Sequence, residues 1–419
     1  MGVPLVCFYG DDLTGSTDAM ANFARRGLSV RLVLPNVVRE RHLSSVLRGP
    51  DVLGVAGTAR SLPTERLDDE VGPVFEAFRE LGAPIVQYKI CSTFDSSPRV
   101  GSIGRACELA FDVWGPRAIP IVPAQPSLGR WTVFGTHFAL APDGRVYRLD
   151  RHPVMSVHPV TPATEADLVL ALRAQTALPV VSLHWPELAF YPELAAKERG
   201  LVVLDARSDA DLRRIGLGVR AAGDPPLVAV GSGGMSYALA STLPAGRRKG
   251  PRPRAHRANR VLALSGTCAQ STARQIENAA AHGWVALDAR ASPGSLPKEA
   301  CRVLRSGRST VAYSALGSAD EACDTATIEA AFVKTVVAAA RDGCLDRLVI
   351  AGGDTAGRAL SALGVEALEY VAEVDRGAVL CRATATRGEL DGLEVVAKGG
   401  QVGSLDFFER ARGRRRRDA

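Results

Sequence analysis

The chain has 419 residues, of which 46% are hydrophobic and 23% are charged, the balance of an ordinary globular protein. Such a length supports two or three domains with cores that need no disulfide or metal staple. A disordered chain, a collagen, a coiled coil and a small disulfide scaffold are therefore excluded. The formal net charge is +6, and most of the excess lies in the Arg-rich segment 412–418.

The composition also indicates which kinds of partner the protein binds and which cellular compartment it occupies. Aromatic residues make up only 5% of the chain, and the basic excess is confined to one end, which argues against a nucleic-acid-binding face. The 8 cysteines are scattered without a C-x-x-C pair or zinc spacing, as is typical of a reducing compartment. We find no signal peptide and no apolar run of the roughly 18 residues that a membrane span needs. The sequence predicts a cytoplasmic protein that binds neither nucleic acid nor membranes and that can form a homo-oligomer.

Short apolar runs alternate with helical patterns along both halves of the chain. The predicted strands are Leu5–Tyr9, Val30–Leu34, Asp51–Ala56, Ile85–Lys89, Ile119–Val122, Val180–Leu183, Leu201–Leu204, Leu227–Val230, Arg260–Leu264, Thr310–Tyr313, Arg347–Ile350 and Leu393–Ala397. The predicted helices include Thr17–Arg26, Thr64–Leu81, Ala210–Ala222 and Thr272–His282. Continuous apolar strands separated by helices indicate mainly parallel sheets that helices cover on both faces. We therefore predict an α/β fold.

A basic, Pro-containing segment, 245–259, divides the chain, because a stretch with almost nothing apolar cannot bury surface and is typical of a linker. We predict a first domain over residues 1–244, a second over 260–412, and a disordered Arg-rich tail over 413–419. Each domain is expected to hold its own mainly parallel sheet flanked by helices. In open α/β sheets, ligands bind beyond the carboxyl ends of the strands, so the loops that follow the strands are candidate sites.

The first candidate loop follows the first predicted strand and contains two adjacent acids, Asp11 and Asp12. Small residues then open a helix, whose free N–H groups can hold a polar ligand. A carboxylate at this position can accept a hydroxyl proton, hold a sugar hydroxyl or coordinate a metal. Alternatively, one Asp only caps the helix, although two acids exceed what a cap requires.

Two further loops of the first domain carry donors that suit a polyhydroxy acid. The candidates are Lys89, Ser92 and Thr93 in segment 88–104, and Gln125 and Arg130 in segment 123–135. Arg can clamp a carboxylate through two parallel hydrogen bonds, although a structural role is equally open for segment 123–135. The alternative for segment 88–104 is an ordinary Ser-rich loop.

Other polar features of the first domain carry less information. The turn 231–234 approaches the G-x-G-x-x-G fingerprint, but Ser236 replaces its third glycine, so a tight strand-to-helix turn with a helix N-cap is predicted. His137, His152 and His184 are expected to be packed or surface residues rather than site residues.

Three loops of the second domain share glycine and hydroxyl residues directly after a predicted strand. They are Ser265–Cys268, Gly352–Gly357 and Lys398–Gly403. Glycine lets backbone N–H groups approach phosphate oxygens closely. None of the loops is a Walker A motif. The loop from Gly352 has the G-x-x-x-x-G spacing, but Arg358 and Ala359 replace the Lys-Ser/Thr pair that should follow it. Three such loops in one domain indicate an anion-binding domain.

The ordered set of loops resembles the four-carbon acid sugar kinase family, long carried as a domain of unknown function. The matching motifs are D-D-L-T-G-S-T-D from Asp11, Y-K…S-T…G-S-I-G from Tyr88, P-A-Q-P-S-L-G-R from Pro123, S-G-T-C from Ser265, G-G-D-T-A-G from Gly352, and K-G-G-Q-V-G…D-F-F from Lys398. The resemblance spans nearly the whole chain. Six matches in the same order are much more specific than any one of them.

The resemblance implies a two-domain α/β kinase with its active site in the interdomain cleft. The first domain would bind a sugar acid, and the second would bind ATP with Mg²⁺ bridging the phosphates. The implied substrate-site residues are Asp11, Arg60, Lys89, Ser92, Thr93, Gln125 and Arg130. We expect Asp12 to be the catalytic base, with Asp11 as the alternative. The implied ATP-site residues are Ser265, Gly352, Gly353, Asp354, Thr355, Gly399, Gly400 and Gln401; the protein ligands of a metal are not identified.

One motif departs from the family pattern. Most members have an Asp before the Ser-Thr pair and an Arg soon after it, whereas Cys91 and Asp95 stand at those places here, and Arg99 follows. The family's substrates include 3-oxo-tetronate, threonate and erythronate; the departure makes a branched acid such as 3-oxo-isoapionate a candidate. The alternatives are a nicotinamide-dependent dehydrogenase, whose phosphate fingerprint is missing, and a non-catalytic sugar-acid sensor, which would not need both the acids and the glycine loops.

Overall fold

A computed structural model describes residues 2–40, 49–158, 161–223, 225–246, 255–317 and 325–413. The chain forms two compact units, one from Met1–Val30 and Val37–Lys249 and the other from Arg31–Asn36 and Gly250–Ala419. Most of the predicted linker 245–259 and of the predicted tail 413–419 lies outside the described residues. No helix among the described residues combines the length and the apolar character that crossing a membrane requires.

The strands and helices alternate along both units. The strands are β1 Val6–Gly10, β2 Val30–Val33, β3 Val52–Ala56, β4 Ile85–Lys89, β5 Ala118–Val122, β6 Arg130–Val133, β7 Thr136–Leu140, β8 Val146–Arg148, β9 Val180–Leu183, β10 Gly200–Leu204, β11 Leu227–Gly231, β12 Val261–Ser265, β13 Val285–Asp288, β14 Thr310–Tyr313, β15 Arg347–Ala351, β16 Val365–Asp375, β17 Ala378–Ala385 and β18 Glu394–Lys398. The helices are α1 Leu13–Ala24, α2 Pro35–Glu40, α3 Leu67–Leu81, α4 Ile103–Trp114, α5 Leu168–Arg173, α6 Tyr191–Lys197, α7 Asp209–Ala221, α8 Gly233–Thr242, α9 Gln270–Ala281, α10 Leu296–Arg305, α11 Thr325–Arg341, α12 Gly353–Ala362 and α13 Phe407–Arg412.

The first unit is built on a parallel sheet with the strand order β3-β1-β4-β11-β5-β10-β9. Strands β1, β3 and β4 are buried along their whole length, as expected of a parallel sheet that is covered on both faces. This explains why the strands were recognisable in the sequence as uninterrupted apolar runs.

Side-chain caps fix where several helices of this unit begin. Ser102 accepts a hydrogen bond from the backbone N–H of Arg105 at the start of α4, and Ser208 accepts one from Asp211 at the start of α7. Ser232 caps α8 in the same way through the N–H of Gly234, so the predicted strand-to-helix turn with an N-cap is confirmed.

A small antiparallel sheet, β6-β7-β8, also belongs to the first unit. Its β6–β7 hairpin turns at Phe134 and Gly135, whose φ angles are 51° and 74°, which is the left-handed backbone of a two-residue hairpin turn. The buried carboxylate of Asp205 accepts hydrogen bonds from the N–H groups of both turn residues (2.7 and 2.9 Å). Segment 123–135, which the sequence presents as a loop, therefore contains strand β6 and ends in the hairpin turn.

The second unit has a parallel block, β13-β14-β12-β15-β18, followed by the antiparallel strands β17, β16 and β2. Strand β2 pairs with β16 through Leu32 and Leu368, which explains why residues 31–36 group with this unit. The core packs apolar residues of the sheet against α13, including Val396, Phe407 and Phe408. The β16–β17 hairpin was not predicted from the sequence.

Candidate active site

The carboxyl ends of neighbouring strands bring the predicted polar loops of the first unit together. Strand β1 lies beside β4 with Gly10 opposite Lys89, and β11 lies on the other side of β4 with Gly231 opposite Lys89. The loops after these strands therefore leave the sheet at one edge, where parallel α/β sheets bind ligands. A groove of about 440 Å³ in the same unit involves the opposite, N-terminal ends of β5 and β11 and shares no residue with these loops.

A buried ion-pair network joins the two acids of the first loop to Arg60. The Arg60 guanidinium donates to both carboxylate oxygens of Asp11 (2.8 and 3.3 Å) and to both of Asp12 (2.9 and 3.0 Å). Asp11 and Asp12 are only 3% and 5% exposed, so this pairing supplies the counter-charge that buried carboxylates require. Arg60 itself follows β3, in a short 3₁₀ turn formed by Ala59–Ser61.

Asp12 also caps helix α1. Its carboxylate accepts hydrogen bonds from the backbone N–H of Gly15 (2.7 Å) and from the hydroxyl of Thr14 (2.7 Å). The capping alternative for this loop is thus confirmed for Asp12, and the same carboxylate is in addition paired with Arg60. Asp11 makes no cap, so the two acids have different surroundings.

These surroundings separate the two acids electrostatically. Burial raises the pKa of Asp11, and the nearby Asp12 charge adds to this, which together outweigh the Arg60 charge. For Asp12, burial acts in the same direction, but the Arg60 and Lys89 charges and the hydrogen bonds from Thr14 and Gly15 lower its pKa overall. The charged form is therefore favoured for Asp12, whose carboxylate already accepts a hydrogen bond from one hydroxyl group, that of Thr14.

Lys89 reaches the same place because Gly15 has no side chain. A β-carbon on Gly15 would lie 2.5 Å from Asp12 Oδ1 and 2.8 Å from Lys89 Nζ. Lys89 is 2% exposed and donates to the carbonyl of Ile90 (2.8 Å). The absence of a side chain at position 15 thus lets a carboxylate and an ammonium group approach one backbone position.

Residues 91–95, here called the Cys91 loop, add a second group of polar side chains to this edge of the sheet. The Thr93 hydroxyl donates to Asp95 (2.9 Å) and lies 2.9 Å from the Cys91 sulfur. Phe94, between Thr93 and Asp95 in the sequence, has a φ of 54°. Burial, opposed by the Arg60 charge and aided by Asp95, raises the pKa of the Cys91 thiol to about 11, so Cys91 is a neutral thiol. A left-handed Phe is costly, which indicates that surrounding contacts impose this loop conformation.

Arg130 belongs to the same neighbourhood. Its guanidinium donates to the carbonyl of Leu128, and the charge of Asp95 acts on it. Burial lowers the pKa of Arg130, and its Nε is buried without a hydrogen-bond partner among the described residues. A buried N–H group without a partner is costly unless a ligand satisfies it.

Two predicted substrate residues take part in contacts within the protein. The Gln125 side chain donates to Asp18 of α1 (2.9 Å), and the backbone carbonyl of Ser92 accepts a hydrogen bond from His137 Nε2 (2.8 Å). His137 is fully buried, and burial lowers its pKa to about 4. As expected, this histidine is a packed residue; it joins the β6–β7 hairpin to the Cys91 loop, a function that nothing in the sequence signalled.

In the second unit, the three glycine loops leave neighbouring strands in register. Ser265 at the end of β12 is opposite Ala351 at the end of β15, which is opposite Lys398 at the end of β18. The Thr355 hydroxyl lies 2.2 Å from where a β-carbon on Gly266 would be, and the Thr267 hydroxyl lies 2.3 Å from the corresponding point at Gly400. Backbone and hydroxyl groups of all three loops therefore converge.

The remaining predicted ATP-site residues lie in these loops. Gly352 precedes α12 with a φ of 115°, Gly353 opens that helix, and Gly399 and Gly400 follow β18. Gln401 is exposed and accepts a hydrogen bond from the Ser271 hydroxyl (3.3 Å). Asp354 lies in α12, but its side chain is outside the described part of the chain.

Sequence reasoning missed Lys398 as an organising residue. Its ammonium group is buried and donates to the Thr272 hydroxyl (2.7 Å) and to the carbonyls of Gly399 and Val402 (both 3.1 Å). Burial lowers the pKa of Lys398 to about 7. A Lys directly before a Gly-Gly pair at the end of an apolar strand is the signal that could have identified it.

The loops fit a polyphosphate. The Ser265 hydroxyl is buried without a hydrogen-bond partner among the described residues, and a side chain at Gly266 or Gly400 would collide with the hydroxyl of Thr355 or Thr267. The one group of three metal-ligating side chains within 4.8 Å of one another that the described residues contain is elsewhere, at Cys301, Asp342 and Cys344. Mg²⁺ here would thus be held chiefly by phosphate oxygens and water, as is usual for this ion.

Comparison with known proteins matches two family models to successive parts of the chain. Residues 6–239 match the model of a sugar-binding N-terminal domain, and residues 262–408 match that of a nucleotide-binding C-terminal domain. The chain is 38% identical to the 3-oxo-isoapionate kinase of Paraburkholderia graminis, covering 96% of this chain and 93% of that relative. It is 30% identical to the 3-oxo-tetronate kinase of Pseudomonas savastanoi pv. phaseolicola, covering 97% and 96%.

A solved structure shares the fold. The structure of a Salmonella typhimurium LT2 protein superposes with a TM-score of 0.79 at 22% identity, covering 98% of this chain and 99% of that one. The fold, the two domain matches and the full-length relatives all agree with the ordered motifs. The chain belongs to the four-carbon acid sugar kinase family.

Proposed function

We propose that this protein transfers the γ-phosphoryl group of ATP to a hydroxyl group of an oxo-sugar acid, and that 3-oxo-isoapionate is the first substrate to test. The observation that carries the proposal is that one unit holds the buried network of Asp11, Asp12 and Arg60, while the other holds three converging glycine loops. The 38% identity to a 3-oxo-isoapionate kinase over nearly the whole chain supports the choice of substrate.

The first unit would hold the sugar acid. Asp12, as the carboxylate with the lowered pKa, would accept the hydrogen bond of the attacking hydroxyl in place of that of Thr14 and orient it. The Arg60 guanidinium donates its hydrogen bonds to Asp11 and Asp12, so it would position these acids rather than bind the substrate directly. Lys89 and the unpartnered Arg130 Nε are the cationic donors left for the substrate carboxylate.

The second unit would hold ATP. Phosphoryl transfer requires positioning and neutralisation of charge more than covalent chemistry by the protein. Backbone N–H groups of the loops at Ser265, Gly353 and Gly400 would bind the phosphates. Lys398 would stabilise the conformation of the last loop through its hydrogen bond to the Gly399 carbonyl. Bound ATP supplies the phosphoryl group, with Mg²⁺ reducing the negative charge of its phosphates.

The Cys91 loop supports an altered substrate. A neutral thiol at position 91 beside Thr93 and Asp95 replaces the charged Asp–Arg arrangement that most family members carry. Loss of a carboxylate at this position removes a hydrogen-bond acceptor for a linear substrate and leaves room for a substituent. A branched acid suits this change better than 3-oxo-tetronate or threonate.

The test is an ATP-dependent screen that follows both ADP release and the phosphorylated acid by ³¹P NMR. The panel contains 3-oxo-isoapionate, 3-oxo-tetronate, D-threonate and a neutral polyol of similar size. We expect turnover with oxo-acids, highest for 3-oxo-isoapionate, and none with the polyol. Binding of an acid without ADP release would instead support a sensor, and preference for 3-oxo-tetronate would reject the branched substrate while retaining the kinase.

A further inference from the structure

A cluster of Cys301, Asp342 and Cys344 in the second unit is separate from the glycine loops. The two sulfurs and one carboxylate oxygen all lie within 4.8 Å of one another. Both cysteines are buried, with exposures of 4% and 2%, and neither forms a disulfide. Asp342 is exposed, so the cluster has a polar group on its solvent side. We propose that these three side chains form a structural site for a thiophilic divalent cation such as Zn²⁺.

The backbone presents two of the ligands in a defined way. Helix α11 ends in a Schellman motif, in which the N–H of Cys344 donates to the Ala339 carbonyl (3.0 Å) and that of Gly343 donates to Ala340 (2.9 Å). Gly343 has the left-handed φ of 61° that this motif needs. Asp342 and Cys344 flank this glycine, so the helix end itself sets their spacing, and Cys301 reaches them from α10.

The ligand set matches the chemistry of zinc. Two thiolates and a carboxylate are ligands that Zn²⁺ accepts, at about 2.3 Å for sulfur and about 2.0–2.2 Å for oxygen. Tetrahedral coordination at these lengths puts ligand atoms about 3.5–3.8 Å apart, so the cluster must contract by at most on the order of 1 Å. Water from the exposed side of Asp342 would complete the tetrahedron.

Arg305 gives the carboxylate an outer partner. Its guanidinium pairs with Asp342 Oδ2, which leaves Oδ1 for a metal and orients the carboxylate, as partners of metal ligands commonly do. The site would tie α10 to the turn that leads into β15, the strand whose other end carries the Gly352 loop. Its role would be to stabilise this unit, since an ion that binds only the folded state raises its stability.

The experiment is a Co²⁺ titration of the reduced full-length protein, followed by Zn²⁺ displacement. Cys268 is exposed and Cys323 lies outside the described residues, so both are first replaced by Ser to remove competing thiols. One equivalent of Co²⁺ should produce a thiolate charge-transfer band and the intense visible bands of tetrahedral cobalt, and Zn²⁺ should abolish both. Zn²⁺ should also raise the melting temperature.

Variants identify the ligands. Cys301→Ser and Cys344→Ser should each weaken Co²⁺ binding by about 100-fold or more, since even loss of an outer-shell partner costs roughly 10–100-fold. Asp342→Asn, at an exposed position, tests the site without disturbing the core, and Cys381→Ala is the control for a buried thiol of the same unit outside the cluster. A missing charge-transfer band in the parent protein, or a band that survives all three ligand substitutions, would overturn the proposal.

Discussion

Replacing Asp12 separates its two structural roles. Asn is as good a helix N-cap as Asp, so Asp12→Asn keeps an oxygen for the Gly15 N–H but removes the charge that faces Arg60. Asp12→Ala removes the cap as well. Arg60 retains its two hydrogen bonds to Asp11 in both variants, so the guanidinium is not left without a counter-charge.

The magnitudes follow from these contacts. If Asp12 orients the attacking hydroxyl and accepts its proton, both variants should lower kcat by roughly 100-fold or more. They should differ in stability by about 1 kcal/mol, the usual cost of losing a cap. For a unit of roughly 150–250 residues this corresponds to a melting temperature about 2–4 °C lower for the Ala variant.

The assay combines ADP release at saturating substrate with thermal unfolding followed by circular dichroism. Asp11→Asn is the matched control, because it alters the same ion-pair network without touching the cap. Near-normal kcat in Asp12→Asn would remove Asp12 from the chemical step. Equal melting temperatures for the Asn and Ala variants would contradict the capping role.

Three further predictions concern the remaining parts of the site. Arg130→Ala should raise KM for acids about 10–100-fold, the loss expected for a hydrogen bond to a charged group. The weak binding of a neutral polyol, measured by calorimetry, should not change. An equal loss for both would refute the assignment of Arg130 to the substrate carboxylate. Cys91→Asp should lower the ratio of kcat/KM for 3-oxo-isoapionate over 3-oxo-tetronate by about tenfold, worth about 1.4 kcal/mol, and an unchanged ratio would show that position 91 does not select the substrate. The pKa of Lys398 is about 7 in the folded protein and near 10.5 when unfolded, so unfolding takes up a proton between these pH values. The free energy of unfolding should therefore rise from about pH 7 to 10 in the wild type, and less steeply in Lys398→Met. Identical slopes against pH for the two proteins in urea titrations would contradict this.

The sequence predicted the buried parallel strands well but missed the parallel edge strand β13 and the antiparallel β16–β17 hairpin, for one physical reason. A strand buried on both faces is an uninterrupted apolar run between polar loops, as in β1 or β15, and the observed limits differ from the predicted ones by a residue or so. Strand β16 instead carries Glu366, Glu369 and Glu373, whose spacing of three and four residues imitates a helix. Its pairing with β17 and β2 decides its conformation, and local sequence does not report that pairing.

The same distinction applies to the candidate site. The sequence could place Asp12 and Lys89 at one sheet edge, since strand order and direction determine which loops are neighbours. It could not show that Arg60 faces both acids, because that contact joins residues 48 and 49 positions apart through side-chain orientation. It also presented capping and catalysis as alternatives for Asp12. A carboxylate has two oxygens and about four sites for accepted hydrogen bonds, so one group can hold a helix end and still face a cation. In Asp12 the Gly15 N–H, the Thr14 hydroxyl and Arg60 occupy all four sites, so a substrate hydroxyl would take the place of the Thr14 hydroxyl. Fixing Asp12 through the cap is what would keep its position constant while the substrate changes.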